Sequence, residues 1–161
     1  MKRNNAKTKT NRPRAGPRAT ARELTRLYEA DETAWLEQMS DLIAKRQYNR
    51  LDYKNLAEYL LDMARRDRRE VLHRLTTLLV HLLKWDHQPG MRSRSWELSI
   101  RDQRQELQDD LESQTLKNHA FTVLPKAYAR ARGRAAGETG LDEEHFPTEC
   151  PYTLEQVLGS E

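Results

Sequence analysis

The sequence predicts an all-α fold: a compact domain of five or six helices around one central apolar helix, preceded by a disordered basic arm. Three observations carry that expectation. Over about residues 70–86, Leu72, Leu75, Leu79, Leu82 and Leu83 fall on one stripe at roughly 100° per residue, while Leu78, Val80, His81 and Trp85 occupy the rest of the circumference. A helix apolar on nearly every side must be surrounded. Elsewhere, apolar residues recur at three- and four-residue spacing between capping and breaking residues. The composition, 37% hydrophobic and 33% charged with few β-branched runs, leaves little material for a sheet and suits helices that keep a charged face in water.

Taken in order, helical spacing begins near residues 20–26, where Leu24, Leu27, Tyr28, Trp35, Met39, Leu42 and Ile43 share a face. Asp31 is the expected N-cap for the better part of this helix, which runs to about Arg46. After a short connection over 47–51, Asp52 caps a second helix from Tyr53 with Leu56, Tyr59, Leu60 and Met63 on one face. That stripe lies roughly 130° from the stripe of the central helix if 53–86 is a single rod. Because 64–70 holds neither Gly nor Pro, a continuous or merely kinked helix is expected, with the charged run 65–70 as its solvated girdle.

Pro89 and Gly90 end that helix, and Ser95 is read as the N-cap of the next, which runs to Leu111 with Trp96, Ile100, Leu107 and Leu111 inward. Gln103 and Arg104 sit at core-like positions of the same face and need partners. Residues 113–116 read as a turn. Ala120, Val123, Leu124, Ala127, Tyr128, Ala131 and Ala135 then mark a helix that Pro125 must kink or restart and that Gly140 stops. Residues 141–150 form an extended strap, and Thr153 with Gln156 makes a capping box for a last helix over 154–158.

The charge is uneven. Eight of the 28 basic residues, Lys2, Arg3, Lys7, Lys9, Arg12, Arg14, Arg18 and Arg22, precede the first acid, so the remaining 20 face 25 acidic residues and the body is formally about −5. Residues 1–20, with Pro13, Gly16 and Pro17 and almost no large apolar side chain, are expected to be disordered, and 21–161 to form a single helical domain. The arm offers a salt-sensitive contact to nucleic acid or to an acidic partner, although a plain solubilising extension is the favoured reading, because basic runs alone are unspecific. The single Cys150, the lack of a signal peptide and an apolar run no longer than 78–83 point to a cytoplasmic protein with no membrane span.

The succession Tyr28-Glu29, Trp35, Leu51-Asp52, Asn55-Leu56-Ala57-Glu58 and His81-Leu82-Leu83-Lys84-Trp85 resembles the bacterial family called domain of unknown function 29. So do Arg94-Ser95-Trp96 with Ile100-Arg101 and Gln103-Arg104, Tyr128 with Ala131-Arg132, and the run from Phe146-Pro147 through Cys150-Pro151-Tyr152 to Glu155. The resemblance covers about residues 28–158 and implies a small all-α fold. It brings no established activity, cofactor or catalytic residue. Tyr59, where members often carry a second acid, and Arg65, where many carry glycine, depart from the pattern.

One constellation offers chemistry: His81 as a general base tuned by Glu58 or Asp62, with Arg101 and Arg104 as cationic groups. A core histidine satisfied by a neighbouring helix is the favoured reading, and Arg104 is expected to pair with Glu58 or Asp62 across a helix interface. His73, His81, His87, His145 and Cys150 match no metal-ligand spacing, so no metal or cofactor is expected. Cys150 lacks a basic neighbour that would activate its thiol. Trp35, Trp85 and Trp96 are expected as core anchors rather than stacking platforms, while Arg92 and Arg94 beside a helix start are candidate anion contacts. The leading function is a non-enzymatic module for a protein partner or for self-association. Nucleic-acid binding through the arm, and an enzyme centred on His81, Glu58 and Arg104, are the alternatives.

Overall fold

The computed structural model describes residues 21–159, so the expected disordered arm over 1–20 lies outside the described residues. Among those described there are six α-helices and no strand: α1 (Ala21–Ala30), α2 (Glu32–Ala44), α3 (Tyr53–His87), α4 (Arg94–Asp110), α5 (Gln114–Thr139) and α6 (Leu154–Leu158), with a single 3-10 turn in each of the connections α2–α3, α3–α4 and α5–α6. None is long and apolar enough to cross a membrane. The chain divides into two compact units, one ending at Leu60 and the other beginning at Leu61.

In the first unit, Asp31 caps α2 as its sequence position predicts, accepting the Ala34 N–H at 3.0 Å. The cap also separates α1 from α2, where the apolar spacing alone had suggested one run. The α2 helix ends at Ala44 in a Schellman arrangement: Arg46 takes a left-handed backbone with φ 55°, and Gln47 N–H reaches Leu42 C=O at 2.9 Å. Leu24, Trp35, Met39 and Leu42 are buried, with Leu56 and Tyr59 of α3 packed on them. Trp35 is fully enclosed between the Tyr28 ring, 4.8 Å away edge-on, and the Tyr59 ring at 5.9 Å. The expected face of Leu56, Tyr59, Leu60 and Met63 is only half covered, since Leu60 is 58% and Met63 45% exposed. The stripe outruns the helices that shelter its first two turns.

The α3 helix is unbroken over 35 residues. Asp52 caps it, its carboxylate accepting from the Asn55 backbone and side chain. Residues 65–70 are exposed, the solvated girdle that their charge predicts. In the second unit Val71, Leu75, Leu78, Leu79, Val80, Leu82 and Leu83 are buried, Val80 lying opposite Leu78 on the helix, so the segment is largely enclosed as its apolarity predicts, while Leu72, Thr77 and His81 are half-buried and His73 is exposed. Ile100 and Leu107 of α4, Ala127, Tyr128 and Ala131 of α5, Phe146, and Leu154 and Val157 of α6 complete the core.

Ser93, not Ser95, caps α4 by accepting from Trp96 N–H; the serine two residues earlier already has extended backbone (φ −135°, ψ 160°). Likewise 113–116 is no separate turn: Ser113 is the N-cap of α5, which passes through Pro125 without ending. Gly140 (φ 72°) stops α5 as expected. The capping box of Thr153 and Gln156 is present on α6. Along the strap Phe146 is buried, and the Tyr128 hydroxyl donates to Pro147 C=O at 2.6 Å, pinning strap to α5. Trp85 is half-buried and packs against the core, whereas Trp96 is half-buried at its margin rather than a core anchor, and each ring is covered by a cation: Arg92 lies 4.9 Å from the Trp85 ring and Lys84 5.0 Å from that of Trp96.

Candidate functional site

A groove of about 610 Å³ opens in the second unit where the end of α3, the first turns of α4 and the strap before α6 meet. Its wall carries Leu82, Trp85, Leu98 and Ile100, and three arginines reach it: Arg94, Arg101 and Arg104. The α4 helix supplies most of these because residues 94, 97, 98, 101 and 104 recur at helical spacing on one side. Tyr152 closes one end, its hydroxyl donating to Asp86 Oδ2 at 2.6 Å, so the strap is tied to the last turn of α3. Burial and the Asp86 carboxylate both push the Tyr152 phenol far above its usual range, and it remains a donor.

The three arginines differ in what they are free to do. Arg104 is engaged: Nε donates to Val157 C=O at 2.9 Å and Nη2 to Gln156 C=O at 3.2 Å. The expected pairing with Glu58 or Asp62 is therefore corrected. A five-residue helix leaves its last carbonyls without intrahelical partners, and a cation at the negative end of the helix satisfies them. Gln108 adds a third bond, to Leu158 C=O at 2.9 Å. Gly159 fits this arrangement twice over, because its φ is +70° and a Cβ there would stand 3.0 Å from Arg104 Nη1. Arg101 touches only its neighbour Asp102, at 3.2 Å with both side chains exposed, and Arg94 has no hydrogen bond or ion pair among the described residues. Arg92, the other anion candidate, instead donates to Trp85 C=O at 2.8 Å.

His81 does not line the groove. It is half-buried on α3, and burial, with Lys84 and Arg134 nearby, pulls its pKa below the usual imidazole value against a partial opposing effect of Glu138. Its Nδ1 is enclosed without a hydrogen-bond partner. Asp62 pairs with Arg65 at 3.0 Å on the exposed girdle and stands about 28 Å along α3 from His81, taking about 1.5 Å per residue. Glu58 is exposed in the first unit. Lys2, Arg3, Lys7, Lys9, Arg12, Arg14 and Arg18 lie outside the described residues, while Arg22 is exposed on α1. Cys150 donates to Tyr152 C=O at 3.4 Å, and burial pushes its thiol up, which keeps it protonated and a poor nucleophile.

The imidazole yields a pH prediction. A folded-state pKa below the unfolded value of about 6.5 means the unfolded chain binds the proton more readily, so stability is full above that value and is lost as pH falls below it. His81→Leu removes both the proton acceptor and the orphaned Nδ1. Its urea midpoint at pH 7.5 is expected to equal or exceed that of the parent, and its decline between about pH 7 and pH 5 to be shallower. Parallel profiles for the two proteins would refute the assignment.

Sequence reasoning missed Asp86, Glu97, Leu98, Tyr152 and Gln156 as wall residues of the groove. Tyr152 sits in the run that carries the family resemblance, but 66 residues separate it from Asp86 and no spacing rule links them. Compared with known proteins, residues 27–161 match a family model described as "Domain of unknown function DUF29". No curated protein and no solved structure gives a match.

Proposed function

The chain belongs to the DUF29 family, and on that premise we propose that it is a non-enzymatic binding module whose groove between α3, α4 and the strap receives an apolar segment with acidic flanks from a partner protein. The observation that carries the reading is the pairing of an apolar wall with two available guanidiniums. Leu82, Leu98 and Ile100 offer a surface for aliphatic or aromatic side chains. Arg94 and Arg101 stand beside them, and the Arg101–Asp102 contact is an exposed pair worth about 0–1 kcal/mol, readily exchanged for an incoming carboxylate. The volume falls within the range of about 300–1,000 Å³ usual for binding clefts. Two of the polar groups on the wall have structural employment, Arg104 holding α6 and Asp86 holding Tyr152, while Glu97 is exposed on the same wall.

Selection of random peptides displayed on phage against the full chain tests this. Enriched peptides are expected to combine Leu, Phe or Trp with Asp or Glu, and synthetic copies to bind at least about tenfold more weakly to Leu98→Asp and to Arg94→Glu/Arg101→Glu. Leu61→Asp, altered on an exposed leucine outside the groove, is expected to bind like the parent. Peptides indifferent to both groove variants would overturn the proposal.

A further inference from the structure

A second groove in the same unit, of about 650 Å³ between α3 and α5, is lined by Arg69, Leu72, His73, Thr76, Lys126, Arg130 and Arg134. We infer that it is a binding site for a small anion carrying two or more phosphates. Lys126, Arg130 and Arg134 stand at i, i+4 and i+8 on one face of α5, a row about 12 Å long. Across from them Arg69 and His73 follow the same spacing on α3. The wall contains four cations, one histidine and no carboxylate.

The charge arithmetic makes this cluster unusual. Beyond Arg22 the chain is formally about −5, and elsewhere in this unit the helix-bridging cations are neutralised. Arg74 meets Glu70, Glu106 and Asp110; Lys84 meets Glu138 at 2.9 Å; Arg132 meets Glu143 at 2.8 Å. In the groove, Arg69, Lys126 and Arg130 have no ion pair among the described residues, and Arg134 has only Glu138 at 3.9 Å. Cations crowded without counter-charge repel one another, and an anion seated between the rows removes that repulsion. Guanidiniums suit phosphate because their fork donates two parallel hydrogen bonds, and two facing rows hold more than one phosphate. A small anion fits better than a nucleic acid: the wall has no aromatic ring on which a base would stack, and the acidic body repels a long polyanion.

Calorimetric titration of the full chain with tripolyphosphate at low salt is the test, with inorganic phosphate and a single-stranded oligonucleotide run in parallel. Tripolyphosphate is expected to saturate one site, more tightly than phosphate. Lys126→Gln/Arg130→Gln is expected to weaken it at least about tenfold. Arg68→Gln/Lys117→Gln makes the same change in net charge at exposed positions, Lys117 lying about half a turn round α5 from Lys126, and is expected to cost less than about twofold. All four residues are exposed, so thermal melts of both variants should match the parent. Equal losses in the two variants would reduce the effect to diffuse charge and overturn the site. So would the absence of saturable binding, or an oligonucleotide that binds through Lys126 and Arg130 where tripolyphosphate does not.

Discussion

Leu79→Ala is expected to destabilise the second unit by about 2–5 kcal/mol, read as a lowered urea midpoint followed by far-ultraviolet circular dichroism. Leu79 is fully enclosed on α3, within the cluster that joins α3, α4, α5 and α6. Truncation removes the transfer free energy of the lost carbons and leaves a cavity that neighbouring helices fill only in part. The upper end of the range applies if the helix backbone holds its position, and the lower end if Leu75, Leu83 and the facing alanines of α5 close in. Leu61→Ala is the matched comparison: the same chemistry on the same helix at a position 58% exposed, with an expected effect within about 0.5 kcal/mol. Equal effects at the two positions would mean that α3 is not enclosed around Leu79.

Arg104→Met is expected to cost about 2–3 kcal/mol and to loosen α6 selectively. Methionine keeps much of the aliphatic stem, so the loss isolates the guanidinium and its bonds to Val157 and Gln156. Val157 C=O at the end of a five-residue helix would then lack a protein donor among the described residues, while Gln156 C=O would keep only the Gly159 N–H at 3.2 Å and Leu158 C=O its bond from Gln108. A helix this short has no stability of its own and holds its shape through docking and capping, so the effect should appear as faster amide exchange over Leu154–Leu158 before it appears elsewhere. Arg104→Lys is expected to recover only part of the loss, because a single ammonium does not reproduce the two-pronged geometry. If α6 exchanges at the parental rate in Arg104→Met, the capping account fails.

The two largest effects thus concern packing and the closing of a helix end, while the two grooves concern binding, and the variants that probe them fall on different residues. Peptide recognition through Leu98, Arg94 and Arg101 and phosphate recognition through Lys126 and Arg130 can fail or succeed independently.

Much of the fold was legible because it rests on local rules. The N-caps at Asp31 and Asp52, the stop at Gly140 and the box of Thr153 with Gln156 are read from one to four neighbouring residues, and each works in the structure as read. The apolarity of residues 71–83 likewise announces a largely buried helix without reference to its partners. Where two residues compete locally, the reading slipped: Ser93 and Ser95 both suit a cap, and only the backbone angles choose between them. Less of the candidate site was legible. Arg104 was recognised as needing a partner, but a carboxylate was expected where a helix terminus, some fifty residues later in the chain, provides carbonyls.

By itself, then, the order of residues determined that the chain is helical, where most helices start and stop, that one segment is largely buried, and that its basic excess sits ahead of an acidic body, because these depend on period, capping and count. Tertiary structure alone decided which polar groups meet. It sent Arg104 to α6, tied Tyr152 to Asp86, left His81 outside the groove, and set Arg69 opposite Lys126 and Arg130. Such pairings join residues far apart along the chain, and only packed helices bring them within the few ångströms over which hydrogen bonds and ion pairs act.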